Sequence, residues 1–198
     1  MNEVSLETIT PADDLVMPLD LATAKAHLRV DHAYDDAAIT ALIVEGVHEI
    51  ERKTGRMLRP ASYRYRLSDF RTNGIPLPRP PYRTITEIYY YDTTGTEVEL
   101  VASKYDLHGT MPAMIAPSAA ANNCGPVVRD QLAAVRIDFD GGYDAADIPE
   151  TLVRALKIWL DVEYNDHADG TVARMLRRWR QIVDGYVVHH PGLAGVSQ

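Results

Sequence analysis

The segment from Leu19 to Leu58, LDLATAKAHLRVDHAYDDAAITALIVEGVHEIERKTGRML, constrains the chain more than any other. Within it Ile39, Leu42, Ile43, Val47 and Ile50 recur at offsets of 3, 4, 8 and 11 residues, one apolar stripe at the helical period. Glu45, His48, Glu49, Glu51 and Arg52 fall on the other side. Asp35 or Asp36 suits the helix start, where a carboxylate accepts bonds from the orphan amides, and Gly55 suits a left-handed C-terminal cap. A shorter helix precedes it, with Asp20 as N-cap and Leu21, Ala24 and Leu28 on its inner face; VDHAYDD is the turn between the two. The long stripe requires a partner, which the rest of the chain must supply. Nothing in the segment looks catalytic.

After Gly55 the period changes from helical to two-residue. Tyr63, Tyr65 and Leu67 alternate with Arg64, Arg66 and Ser68, as in a half-buried strand. The prolines of GIPLPRPPY, Gly74 to Tyr82, remove ladder donors and make a stiff, extended connector. Thr84 to Asp92, the turn TTGT and Glu97 to Val101 predict a hairpin, with shorter strands over Tyr105 to Leu107 and Met111 to Ile115. Ala116 to Gly125 reads as a flexible loop. Val135, Ile137 and Phe139 then point inward against Arg136, Asp138 and Asp140 outward, up to Gly141-Gly142.

Two helices close the pattern. Pro149 and Glu150 open the first, whose stripe is Leu152, Val153, Leu156, Trp159 and Leu160 with Ala155, Ile158 and Val162 as a flanking strip. Gly170 interrupts, Thr171 caps the second, and Val172, Met175, Leu176, Trp179, Ile182 and Val183 form one arc while Arg174, Arg177 and Arg178 line another. The order predicts an α+β protein rather than alternating βαβ units: a helical bundle of two N-terminal and two C-terminal helices with an inserted antiparallel β-sheet module. The expected division is an acidic N-terminal arm over 1–18, a central domain over 19–184 and a C-terminal arm over 185–198. Inside the central domain, helices occupy 19–58 and 148–184 and the β insertion occupies 61–142.

Composition excludes several classes. At 198 residues the chain suits one domain with a small inserted module, and no run approaches the ~20 apolar residues of a membrane span. The first residues lack the layout of a secretory signal. The single Cys124 excludes an intrachain disulfide and a CxxC metal site, and the environment expected is bacterial cytoplasm or an assembly built there. A net charge of −8 argues against broad phosphate-backbone binding. The charge is uneven: Glu3, Glu7, Asp13, Asp14 and Asp20 open the chain, whereas Arg174, Arg177, Arg178 and Arg180 sit together near its end.

Chemistry-bearing constellations are weak. Glu163 and His167 lie four apart, with Asp166 and Asp169 nearby, but no second histidine completes a metal site. Glu163 continues the stripe of its helix, and if buried it needs a cationic partner. Asp138, Asp140, Asp144 and Asp147 surround Gly141-Gly142 without the order of a calcium loop. Cys124 and the pair His189-His190 read as bystanders, and His27 and His48 as surface residues without a special role. No phosphate loop, nucleophile elbow, dinucleotide fingerprint or zincin motif is present. No catalytic residue, cofactor or metal is expected.

Taken in order, LATAKAHLRVD, DDAAITALI, IERKTGRML, IPLPRPPYRTITEIYYYDTTG, KYDL, VRIDFDGGY and IPETLVRALKIWL resemble the head–tail connector (adaptor, or head-completion) proteins of long-tailed bacteriophages and gene transfer agents. The resemblance spans Leu19 to Tyr164. It implies a non-enzymatic subunit of a homo-oligomeric ring, commonly of twelve, under the portal protein. Such a ring extends the DNA channel, lets DNA pass without specific binding, and gives a platform to a stopper or tail-completion protein. The implied location is the head–tail interface of a virion or phage-like particle, with no membrane involved. Residues 1–17 and the loop Ala116 to Gly125 depart from the family pattern.

The resemblance also implies surfaces. Helices pack side by side around the ring, and the C-terminal part reaches the portal, here the last helix and the tail from Val183 to Gln198. The partner-binding expectation is therefore Arg174, Arg177, Arg178, Tyr186, Val187, Val188, Pro191 and Leu193. The subunit-interface expectation is Glu45, Glu49, Arg52, Ile158 and Val162. Two competing readings stand beside it: a nucleic-acid-binding module using the Arg174/Arg177/Arg178 stripe, and a small hydrolase using the Glu163/His167 region.

Overall fold

The computed structural model describes residues 3–10, 17–70, 74–109, 111, 113–121 and 125–188. It is α+β, the class the periodicities predict, and divides into two units. A helical unit joins Asp13–Arg59 to Tyr143–Val188; the described residues of the other come from the N-terminus through Thr10 and from Pro60–Gly142.

The helical unit contains α1 (Leu21–Leu28), α2 (Asp36–Thr54), α3 (Glu150–Tyr164) and α4 (Asp169–Asp184). The stripe of α2 finds its partner in α3: Ile39, Ile43, Val47 and Ile50 join Leu152, Ala155, Leu156 and Leu160 in one buried cluster. Ala24 and Leu28 of α1 and Trp179 and Val183 of α4 complete it. The seam between α2 and α3 is close because Gly46 faces it. A Cβ on Gly46 would lie 2.6 Å from Leu156 Cδ1 and 2.6 Å from Trp159 Cδ1.

The helix ends follow the expected chemistry only in part. Asp20 caps α1, its Oδ1 accepting from the Thr23 amide at 2.9 Å, and that bond with the Thr23 hydroxyl holds its carboxyl below the ordinary range. Gly55 ends α2 at φ 68, in the left-handed region. The other end of α2 is a correction. Asp35 stands at the N-cap position but makes no side-chain capping bond. Its carboxylate instead accepts from the Tyr164 hydroxyl at 2.7 Å, which pushes that phenol's pKa up. Asp36 accepts from Lys25 Nζ at 2.5 Å. The two acids thus tie α3 and α1 to the start of α2. A second correction concerns α4, which begins at Asp169 after Ala168, so Gly170 and Thr171 lie inside its first turn. First-turn amides lack intrahelical acceptors in any case, which makes a glycine inexpensive there, and an aspartate at the start favours the helix dipole.

Glu51 is the third correction. It is buried, not on an outer face, and Oε1 accepts from the Leu58 amide at 2.9 Å. Oε2 lies 3.7 Å from Arg59 Nη2, and the same nitrogen donates to His48 Nε2 at 2.8 Å. A guanidinium has no acceptor, so His48 must present a bare Nε2 and carry its proton on Nδ1.

The second unit contains β1 (Glu3–Thr10), β2 (Ala61–Leu67), β3 (Ile75–Pro76), β4 (Tyr82–Tyr91), β5 (Glu97–Glu99), β6 (Tyr105–His108), β7 (Met114–Pro117) and β8 (Val135–Gly141). A five-stranded antiparallel sheet runs β1-β2-β8-β4-β5 and a three-stranded one β3-β7-β6. Tyr63, Tyr65 and Leu67 pair in register with Phe139, Ile137 and Val135, all buried, and the Tyr63 and Phe139 rings lie 5.5 Å apart. The hairpin turn is locked by Asp92, whose Oδ1 accepts from the amides of Thr94 and Thr96 at 2.9 Å. Those bonds and the Thr94 hydroxyl hold its carboxyl below the ordinary range.

Two expectations fail in this unit. Residues 3–10, read as part of a free acidic arm, form the edge strand β1 on β2, with Glu7 3.2 Å from Arg66. The loop read over 116–125 is partly regular: Ala116 and Pro117 belong to β7, and Ser118 is buried, its hydroxyl donating to Ser103 O at 2.8 Å. Its centre, with Cys124, lies outside the described residues.

Gly46→Val should lower stability by about 1–3 kcal/mol through overpacking at the α2–α3 seam. Both tryptophans, Trp159 and Trp179, are in the helical unit, so urea unfolding followed by their fluorescence reads the change. An unchanged midpoint would mean the seam is looser than described.

Candidate interaction surfaces

Among the described residues no group of three or more His, Cys, Asp or Glu side chains is arranged to hold a metal ion. Glu163 is exposed, so the concern over a buried carboxylate falls away. His167 lies beyond the end of α3, its Nε2 3.1 Å from Asp161 O and 3.3 Å from Asp161 Oδ1. Glu163 and His167 therefore do not share a helix face. Asp138 and Asp140 of the calcium-like run are engaged in the sheet, Asp138 with Arg64 and Asp140 with the Ser62 hydroxyl at 2.6 Å.

The outward-facing side chains of β2, β8, β4 and β5 form a charged network that only the register reveals. Arg64 donates to both oxygens of Asp138 at 2.9 and 2.7 Å, a bidentate pair that raises the guanidinium pKa. Arg136 stands 3.8 Å from Asp138, 3.5 Å from Glu97 and 3.8 Å from Glu87, and lies 4.5 Å over the Tyr89 ring. Asp138 is only 6% exposed, so removing either arginine would leave a buried carboxylate short of partners.

In the helical unit the expected partner-binding residues separate into three groups. Arg174, Arg177 and Arg178 are exposed on α4, as is Arg180, and none of the four makes a hydrogen bond or ion pair among the described residues. Tyr186, Val187 and Val188, read as the root of a free arm, are tied to their own chain. The Tyr186 hydroxyl hydrogen-bonds Thr151 Oγ1, its carbonyl accepts from Arg56 Nε at 2.8 Å, and the Arg56 guanidinium lies 5.5 Å from its ring centre. The Val187 amide donates to Asp184 O, and the Val188 amide to Thr54 O at 2.8 Å. These bonds satisfy the polar backbone just past α4, so the chain stays on the bundle through Val188. Pro191, Leu193 and the pair His189-His190 lie outside the described residues.

The expected subunit-interface residues are likewise mixed. Glu45 is exposed without a partner among the described residues. Glu49 is half-buried and receives Arg52 Nε at 2.8 Å and Nη2 at 2.7 Å, a pair within one helix. Ile158 is half-buried against the core and Val162 is half-buried at the far end of α3. His27 and His48, assigned no role from the sequence, both make contacts: His27 Nε2 lies 3.1 Å from Lys157 O, and His48 accepts from Arg59.

No protein-family model matches the chain. No curated protein matches it either. Solved structures do. One is a chain from the neck of an empty gene transfer agent particle computed with C6 symmetry, with TM-score 0.69 and 23% identity over 96% of this chain and 98% of that one. A second is from the virion of a native gene transfer agent particle, at TM-score 0.68 and 22% identity over the same shares, 96% and 98%. A third is from the neck of a native particle computed with C12 symmetry, at TM-score 0.64 and 23% identity, again over 96% and 98%. The chain has the fold of these particle components. At such coverage both units and their order along the chain are shared, not one motif.

Asp138→Ala should cost about 2–3 kcal/mol, less than for a fully buried pair because Arg64 is partly exposed. The Arg64→Leu/Asp138→Leu double variant should recover part of the loss. Urea unfolding followed by far-UV circular dichroism measures both; additive losses in the double variant would show that the pair is not coupled.

Proposed function

We propose that this protein is a structural head–tail connector: a subunit of a ring at the neck of a phage or phage-like particle, without catalytic activity. The observation that carries the reading is the end-to-end likeness to chains from gene transfer agent particles, two of them from necks. Two features of the chain support it. Exposed charged groups without a partner among the described residues, Arg174, Arg177 and Arg178 on α4 and Glu45 on α2, sit on helix faces suited to contact. Its acid excess, net −8, suits a surface past which DNA moves without adhering.

In this reading the ring, of twelve copies in keeping with the C12 neck, sits under the portal protein. It extends the DNA channel and receives a stopper or tail-completion protein on its other side. The subunits assemble in the bacterial cytoplasm and remain in the finished particle. The segment after Val188 reaches toward the portal, while the outer faces of α2 and α3, with Glu45, Ile158 and Val162, lie near subunit boundaries.

Deleting the gene in the producing strain should leave DNA-filled heads that carry no tails, and supplying the gene in trans should restore tailed particles. Electron microscopy of the lysate reads the outcome. Normal tailed particles in the deletion strain would overturn the assignment.

A further inference from the structure

Helix α4 carries more contact surface than its own chain uses. Its C-terminal half is anchored: Trp179 and Val183 are buried in the helical core, and the Trp179 ring lies 5.8 Å from that of Trp159. Its N-terminal half is not. Val172, Met175 and Leu176 continue the same arc, yet each is only half-buried, and none belongs to the apolar set packed on the core among the described residues. Beside them stand the exposed guanidinia of Arg174, Arg177 and Arg178, unpaired among the described residues. No carboxylate lies between Asp169 and Asp184 to neutralise them.

The rest of the chain has the opposite character. Of its 20 Lys and Arg four lie in α4, and of its 28 Asp and Glu two do, so outside this helix 16 bases face 26 acids. In the same helical unit Glu45, Glu163 and Asp166 are exposed without a partner among the described residues. A second copy of this chain therefore presents the charge that α4 lacks.

We propose that the N-terminal half of α4 docks on the acidic surface of a second copy, with Val172, Met175 and Leu176 closing against it and Arg174, Arg177 and Arg178 pairing with its carboxylates. Two α4 faces cannot meet each other, since that sets arginine against arginine. The contact is heterologous, α4 of one copy against a different face of the next, which is the kind of contact that closes into rings. That it closes rests on the neck reading above. DNA is the weaker occupant: phosphates leave the apolar arc without a partner, and the net charge of −8 opposes them.

The test is sedimentation of the full chain across concentration and salt. The wild type should associate as concentration rises, and less so in high salt. The R174E/R177E/R178E variant, folded by circular dichroism because all three side chains are exposed, should associate at least about a hundredfold more weakly. Met175→Asp should weaken association through the apolar arc at any salt. Because the triple variant keeps its acidic face, a substoichiometric amount should cap wild-type assemblies and reduce their mean size. A triple variant that associates as tightly as wild type overturns the proposal, as does a wild type that stays monomeric throughout. Duplex DNA binding that depends on the three arginines while association does not also overturns it. Either of those variant results leaves the neck role standing, whereas normal tailed particles in the deletion strain remove that role without touching self-association.

Discussion

The helical unit depends on the approach of α2 to α3 at Gly46. The stripe of α2 is too apolar to face water; the short α1 covers part of it with Ala24 and Leu28, and α3, far along the chain, brings Leu152, Ala155, Leu156 and Leu160. Glycine at the crossing lets Leu156 and Trp159 lie directly on the α2 backbone, and from that contact the rest follows. The two acids at the start of α2 then reach Tyr164 and Lys25, and α4 settles through Trp179 beside Trp159. The unit is built from two separated stretches of sequence. Its core therefore consists of long-range contacts, the kind that form late and cooperatively.

The second unit solves a different problem by the same means. Its buried alternations, Tyr63 with Phe139 and Tyr65 with Ile137, fix the register of β2 on β8, and register then decides which charges meet on the opposite side. Arg64 opposite Asp138 is a consequence of that register. A one-residue slip of β2 would turn Arg64 away from Asp138 and move Tyr63 and Tyr65 off the buried face.

Much of this was legible in the sequence because burial imposes a period. The stripes of α2 and α3, the strands β2 and β8, the hairpin and the Gly55 cap all carried their signal locally. What escaped was set by distant partners. Asp35 and Asp36 look like capping residues, and only α3 and α1 redirect them. Glu51 has the pattern of a surface acid, yet the Leu58 amide draws it inward. Glu3–Thr10 looked like a solvated arm until β2 offered a ladder. Tyr186 to Val188 looked free until Thr151, Arg56 and Thr54 held them. For the interaction surfaces the arginine stripe was visible at once, but its lack of a partner among the described residues was not, because no spacing rule shows which carboxylates are near. The proposed role rests on the order of motifs and on the shared fold.

The central claim is a location, and location can be seen directly. Cryo-electron microscopy of purified particles, with the chain traced in the density between the capsid vertex and the tail, tests it most plainly. The account predicts a closed ring of this chain at the neck, with α4 of each copy against its neighbour. Particles whose neck density fits another protein, with this chain absent or elsewhere, would contradict it.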